Sequence, residues 1–241
     1  MKFSDTSSQS GLIQDCETLL GFTDGYISGN SNRLNRFTNL INAWYRKADT
    51  WLWEAVGTWE FDDSNRTDLP IATTDLVADQ RDYELPSTAR KIDRIEVKDS
   101  DGDWSPVYPM DKSEIPTTAM EEFEETNGLP EYYDMVGRSI LLYPKPSADD
   151  VTLTDGLKLY CSRDIVAFSS SATTREPGFD NHFHRICSLG AAYDYAASKG
   201  LRKTPILKKE LEELKQELQT FYGTRHRDFK TRLDVQEDSN I

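Results

Sequence analysis

The chain has 241 residues, 37% of them hydrophobic and 29% charged. That is enough for one large domain or two modest ones, and it is too rich in Trp, Tyr and Phe for disorder throughout. The net charge of −14 is concentrated, because residues 58–157 hold 24 Asp/Glu against 9 Lys/Arg while the remainder is almost balanced; phosphate neutralisation drives DNA binding, so that segment is a poor DNA-binding surface.

No apolar run approaches the ~20 residues needed to span a bilayer. Met1-Lys2-Phe3-Ser4-Asp5 has no apolar signal core. A soluble protein that is not exported by a signal peptide is expected. The three cysteines, Cys16, Cys161 and Cys187, are odd in number and far apart. They read as buried free thiols and not as a disulfide framework.

Residues 1–10 are Ser/Thr/Gln-rich. Leu12, Ile13, Cys16, Leu19 and Leu20 recur at helical spacing and predict one short helix, broken up by Gly21, Gly25 and Gly29. Ser31 is a candidate N-cap for the main helix. Its apolar stripe runs through Leu34, Phe37, Leu40, Ile41, Trp44, Tyr45, Ala48, Trp51, Leu52 and Ala55, with spacings of three and four. This stripe reads as core. Trp53 falls off it, and aromatics off the packed face favour interfaces. Trp53 and Trp59 are therefore candidate inter-subunit contacts.

From Thr58 the period changes to that of strands. Trp59 and Phe61, Leu69 to Thr73, Asp82 to Pro86, Ile92 to Val97 and Trp104 to Tyr108 predict short extended pieces. Asp99-Ser100-Asp101-Gly102-Asp103 is a hairpin turn signal. It echoes a calcium loop only faintly, because position twelve from Asp99 is Met110 and not Glu. A short helix is expected within Asp111 to Thr126, ended by Asn127-Gly128. Tyr132, Tyr133 and Met135 lead into the Gly137-Arg138 turn. Ile140 to Tyr143 and Leu157 to Cys161 predict two further strands. The whole suggests an antiparallel sheet or a small sandwich.

Pro177-Gly178 leads into a helix with Asp180 as candidate N-cap. Its inner face would hold Phe183, Ile186, Cys187, Gly190, Tyr193 and Ala197, with Gly190, Ala191 and Ala192 allowing close packing. Gly200 suits its end. Thr204-Pro205 reads as N-cap and N1 of the last helix, with Leu207, Leu211, Leu214, Leu218 and Phe221 as its packed stripe. The fold class expected is α+β: a helical bundle with a central antiparallel β-rich insertion. The expected division is an N-terminal segment with its short helix (1–30), a helical body (31–57 and 179–222), an acidic β-rich domain (58–165) and a flexible tail (223–241).

The search for enzyme chemistry finds no Gly-rich phosphate loop, Gly-x-Ser-x-Gly elbow or His-Glu-x-x-His. His184 and Cys187 are three apart and can share a helix face, but two ligands do not make a zinc site. His184 reads as a helix-start hydrogen bonder or core residue. No catalytic, metal or cofactor-binding residue is assigned, and no cofactor is expected. The alternative is a glycan (peptidoglycan) hydrolase using two carboxylates of the β-rich segment, whose aromatics would stack on sugars.

Taken in order, several segments resemble one family. They are Asp82-Tyr83-Glu84-Leu85-Pro86, Ile92-Asp93-Arg94-Ile95-Glu96-Val97, Gly102-Asp103-Trp104-Ser105-Pro106-Val107 and Gly128-Leu129-Pro130-Glu131-Tyr132-Tyr133. Leu141-Leu142-Tyr143-Pro144-Lys145-Pro146, Leu157-Lys158-Leu159-Tyr160, Pro177-Gly178-Phe179 and Phe183-His184 complete the series. The chain resembles the head-to-tail adaptor proteins of tailed bacteriophages over about residues 30–222. The order and spacing of the motifs carry the likeness, since each motif alone is common.

The resemblance implies a structural, non-enzymatic virion protein of the neck, made in the host cytoplasm. Such proteins form a homo-oligomeric ring, usually of twelve copies, beneath the portal protein. The ring extends the DNA channel and docks the next tail or nozzle protein. Genomic DNA would pass without specific binding, since an acidic wall repels it, and no membrane is involved. The basic tail, with Arg225, Arg227, Phe229, Lys230 and Arg232, would order on docking to the portal. Another neck or tail-tube component is the remaining alternative.

Overall fold

The computed structural model describes residues 1–56, 71–110 and 125–225. The chain divides into two compact units. One holds the described residues of Met1–Trp59 and Ile165–Ile241, the other those of Glu60–Asp164. The fold class is α+β, with helices before and after a β-rich middle, as the periodicity predicts.

The helical unit begins with α1 (Leu12–Leu20). Its apolar spacing buries Leu12, Ile13, Cys16 and Leu20. Gly21 ends it with φ 73°, a left-handed conformation that glycine adopts without steric cost. The next turn of chain is organised by a buried carboxylate on α1. Glu17 accepts from the backbone N–H groups of Gly25 at 3.2 Å, Ile27 at 2.6 Å and Ser28 at 3.0 Å.

Helix α2 spans Ser31–Val56. Its cap lies one residue earlier than expected: the Asn30 side-chain oxygen accepts from the Arg33 N–H at 3.1 Å, so Ser31 is the first helical residue. The predicted stripe is core, with Phe37, Ile41, Trp44, Tyr45, Ala48 and Leu52 all buried. Two further helices follow, α3 (Arg185–Ser198) and α4 (Thr204–Arg225). Helix α3 packs against α1, α2 and α4, which explains why it is buried on nearly every side.

Several local expectations differ from the structure. Asp180 caps a short 3-10 turn at Asn181–Phe183, accepting from the His182 N–H, and α3 starts only at Arg185. Ala197 is exposed, and Ala196 takes the buried position. The Thr204 hydroxyl donates back to the Leu201 carbonyl at 2.7 Å, while the Leu207 N–H bonds the Lys203 carbonyl; the expected cap, Thr204, is therefore the first helical residue, and the cap position falls one residue earlier, at Lys203. On α4 the buried line is Leu207, Leu211, Leu218 and Tyr222, and Phe221 faces outward. A straight helix drifts from a seven-residue repeat, which moves the last packed position from 221 to 222.

The β-rich unit is a seven-stranded sheet in the order β1-β9-β3-β4-β6-β7-β2. Its strands are β1 (Ile71–Thr74), β2 (Asp82–Glu84), β3 (Ala89–Lys98), β4 (Trp104–Pro109), β6 (Tyr132–Val136), β7 (Ser139–Tyr143) and β9 (Leu157–Arg163). Pairing is antiparallel except between β4 and β6, which run parallel with Tyr108 opposite Tyr132. Residues two apart share a face of a strand. Accordingly Ile95 and Val97, Ile140 and Leu142, and Leu157, Leu159 and Cys161 join one buried cluster with Leu76, Tyr83, Leu85, Val107 and Val151.

The β3–β4 turn is built as the Asp-rich run predicts. Asp99 accepts from the N–H groups of Asp101 at 3.0 Å and Asp103 at 2.8 Å. The Gly137 turn joins β6 to β7, with Gly137 at φ 63°. Glu125 is helical, and Asn127-Gly128, two residues on, forms β5, a two-residue strand parallel to β8 (Lys145–Pro146). The helix expected within Asp111–Thr126 and the extended pieces at Trp59, Phe61, Leu69 and Pro70 lie outside the described residues, in whole or in large part.

Candidate functional site

The described residues contain no group of three or more His, Cys, Asp or Glu able to hold a metal ion. The three cysteines are free and buried. Burial pushes the Cys16 and Cys187 thiols up from their ordinary value, Cys16 further through its neighbours Asp15, Cys187 and Glu17. Such thiols stay protonated and unreactive at neutral pH.

His184 sits in the core of the helical unit, fully buried. Its Nδ1 lies 2.5 Å from the Met1 α-amine, and its Nε2 lies 2.8 Å from the Phe179 carbonyl. The Met1 amine also donates to the Asn181 side-chain oxygen at 2.5 Å and lies 3.8 Å from Glu176. Phe3 adds backbone pairing with Arg175 and stacks on Phe168. Phe168 stacks in turn on Tyr45. These aromatic contacts tie the first residues to α2 and to the segment before α3. The histidine is thus a packing and hydrogen-bonding residue of this arrangement.

Attention therefore falls on surfaces. Trp53 is half-buried on α2. Its indole Nε1 is shielded from solvent and has no hydrogen-bond partner among the described residues. A buried donor without an acceptor is uncommon. Trp59, the Arg225 side chain, Arg227, Phe229, Lys230 and Arg232 lie outside what the structure describes, so the candidate contacts are not brought together in it.

Periodicity did not mark the side chains below as exposed, and it placed Phe221 in the packed line. In the helical unit, Phe221 is 42% exposed beside buried Phe183, their rings 5.4 Å apart. They border an open groove of about 520 Å³ whose other lining residues are Glu213, Gln216, Glu217 and Thr220. In the β-rich unit, Tyr108, Met135 and Val136 are exposed. Met135 and Val136 precede the Gly137 turn at the end of a hairpin. Strand alternation puts one of any two neighbours on the outer face, so the exposure of both Met135 and Val136 among the described residues is more than alternation accounts for.

The β-rich unit also carries an outer face of mixed charge and aromatics. Glu96 lies between Arg94 at 3.1 Å and Lys158 at 3.8 Å. Arg94 stands 4.1 Å above the Tyr160 ring and Lys158 stands 4.3 Å from that of Trp104. Each acid here is answered by a base and each base by a ring. This arrangement, with opposite charges paired near the surface, suits a solvated or contact face.

A family model described as SU10 adaptor protein matches residues 10–234. The match takes in α1 and most of the basic tail, both beyond the span of motifs that first suggested a resemblance. No curated protein matches the chain.

Proposed function

The chain belongs to the SU10 adaptor protein family, and from that membership we propose that it forms a homo-oligomeric ring at the head-to-tail junction of a phage virion. The ring, of about twelve copies as the family likeness implies, sits beneath the portal protein. It continues the DNA channel and presents a surface to the next tail or nozzle protein. The protein is made in the host cytoplasm and acts without catalysis or cofactor. The observation that carries this reading is the extent of the family match, which covers both helical ends and the whole β-rich middle.

Three features support it. The acidic excess of residues 58–157 would let DNA slide past, since like charges keep the backbone from settling on the wall. Trp53, half-buried with a solvent-shielded indole N–H that has no partner among the described residues, suits a site completed by a neighbouring subunit; Trp59 is proposed as a second contact from its place in the sequence. The basic residues Arg225, Arg227, Lys230 and Arg232, with Phe229, would order on docking to the portal.

Native mass spectrometry tests the proposal, with the protein alone and then mixed with portal from the same phage. A portal-bound ring of matching symmetry is expected. Failure to associate with portal at micromolar concentration overturns the adaptor role.

A further inference from the structure

The chain carries a net charge of −14, yet two of its stretches hold no acid at all. Gly25 to Ala48 and Ser198 to Lys209 contain no Asp or Glu. The first takes in the start of α2, and the second the turn from α3 into α4. The fold brings the start of α2 and that turn to the same end of the helical unit.

The join is aromatic. Phe22, in the chain that leaves α1, stacks on Tyr26 with the rings 4.2 Å apart and meets Tyr195, near the end of α3, edge-on at 5.7 Å. Tyr195 also packs on Phe37 of α2 at 5.2 Å. The Arg33 guanidinium lies over Tyr26, 3.8 Å from the ring centre, and that of Arg36 lies 5.3 Å from the centre of Tyr195. Arg33 also donates to the Tyr26 carbonyl at 3.1 Å. From the other side, Lys203 donates to the Leu19 carbonyl of α1 at 3.1 Å. Lys199 stands one helical turn beyond Tyr195, with its N–H on the Tyr195 carbonyl.

Arg33, Arg36, Lys199, Arg202 and Lys203 are all exposed. Among the described residues none of the five forms an ion pair. The acids nearest to them in sequence are Asp24, which is exposed, and Asp194, which already accepts from the Trp44 indole N–H. A guanidinium laid on a ring keeps its charge and has its plane fixed. The five charges come from α2, the end of α3 and the start of α4, so they spread over a surface and suit a polyanion better than a small ion. Lysine is depleted from protein–protein interfaces. Arg, Lys and Asn are side chains that hold DNA phosphates, and Asn32 and Asn35, both exposed, flank the two arginines.

We propose that this basic end of the helical unit binds the phosphate backbone of double-stranded DNA. The contact reads charge and no base edge, so DNA held there still slides. The acidic excess of residues 58–157 lies in the other unit. The contact goes beyond the ring and does not depend on it.

Fluorescence anisotropy tests this, with a labelled duplex of about 30 base pairs titrated with the full chain between about 50 and 200 mM salt. A dissociation constant of roughly 10–100 µM is expected, the weaker part of the range for non-specific binding. The logarithm of affinity should fall against the logarithm of salt with a slope of about −4, since up to five phosphates are neutralised at about 0.9 each. K199E/R202E, at two exposed positions, should weaken binding at least about fivefold and bring the slope nearer zero by about two, roughly one per base. R33E/R36E should do the same, whereas R227E/K230E in the tail should keep most of the binding. Absence of binding at the lowest salt overturns the proposal, as does equal binding by the wild type and both patch variants. Loss confined to R227E/K230E also overturns it, because it would assign DNA to the tail. Displacement by poly-glutamate as effective, charge for charge, as displacement by unlabelled DNA overturns it too, since it would assign the patch to an acidic protein. A ring that assembles on portal from a chain that binds no DNA removes this inference alone, and failure to associate with portal removes the adaptor role alone.

Discussion

Trp44 of α2 lies directly over Gly190 of α3, so closely that a Cβ added at Gly190 would fall inside contact distance of the indole ring. The indole is held there by its Nε1, which donates to Asp194 at 2.7 Å, and by Lys47, whose Nζ stands 3.7 Å from the ring. The small residues of α3 thus do more than save space. One of them, Gly190, is the bed on which Trp44 of α2 rests.

Gly190→Ala should therefore destabilise the protein, although alanine is the better helix former. Overpacking of this kind costs about 1–3 kcal/mol, against about 1 kcal/mol regained from helix propensity. Urea unfolding followed by Trp fluorescence reads the difference. A stabilised variant would show that the indole moves aside freely.

Asn42 and Phe168 exchange two buried hydrogen bonds. The Asn42 amide donates to the Phe168 carbonyl at 2.9 Å and its oxygen accepts from the Phe168 N–H at 2.8 Å. Asn42→Leu would strand both backbone groups without partners. A loss of about 2–6 kcal/mol is expected, from the 1–3 kcal/mol attached to each unsatisfied group. The same denaturation series measures it, and a change below about 1 kcal/mol would mean that water replaces the side chain.

Glu17 holds three backbone N–H groups of the α1–α2 connection. Glu17→Ala should release that connection while leaving the helices formed. Hydrogen exchange at Ile27 and Ser28 should accelerate by at least about tenfold, the scale of 1.4 kcal/mol per charge-assisted bond. Unchanged protection at Ile27 would argue that the loop is held by its own packing.

Alkaline pH should weaken the fold. Burial raises the pKa of Cys16 and Cys187 above the ordinary thiol value of 9.0 and those of Tyr83 and Tyr133 above 10.0. The folded chain then keeps protons that the unfolded chain releases, so the stabilisation is complete below pH 9 and declines as pH rises past it. Thermal melting between pH 7 and 10.5 should show this decline, and Cys187→Ala should reduce its slope on the thiol limb. A melting temperature flat to pH 10.5 would contradict the assignment.

Charge reversal in the tail tests the proposed portal contact separately from folding. Arg227→Glu with Lys230→Glu should leave the melting temperature unchanged and weaken association with portal by at least about tenfold, more at low salt than at high salt. Undiminished association would remove the tail from that interface.

Much of the local structure was legible from spacing alone. The α2 stripe from Phe37 to Leu52, the alternation at Ile95 and Val97, the Asp99 turn and the place of His184 at the start of α3 all follow from periods of 3.6 and 2 and from short-range turn chemistry. The order of the motifs pointed to the family as well. The candidate contacts were less legible. Trp53 stood out because it leaves the stripe, whereas Phe221 was assigned to the packed line and its exposure became visible only when Tyr222 took the buried place.

What the amino-acid order determined by itself is the succession of helix, β-rich segment and helix, and with it the α+β class, because each period is set by neighbours within a turn or a pleat. Tertiary structure alone decided which strands pair, including the parallel match of Tyr108 with Tyr132 and the turning of Asn127-Gly128 into a strand. It also decided that α3 packs against three other helices and that an acidic groove opens beside Phe183. These features depend on partners far away in the chain, and no local pattern carries the information about which distant surface will arrive to bury a given side chain.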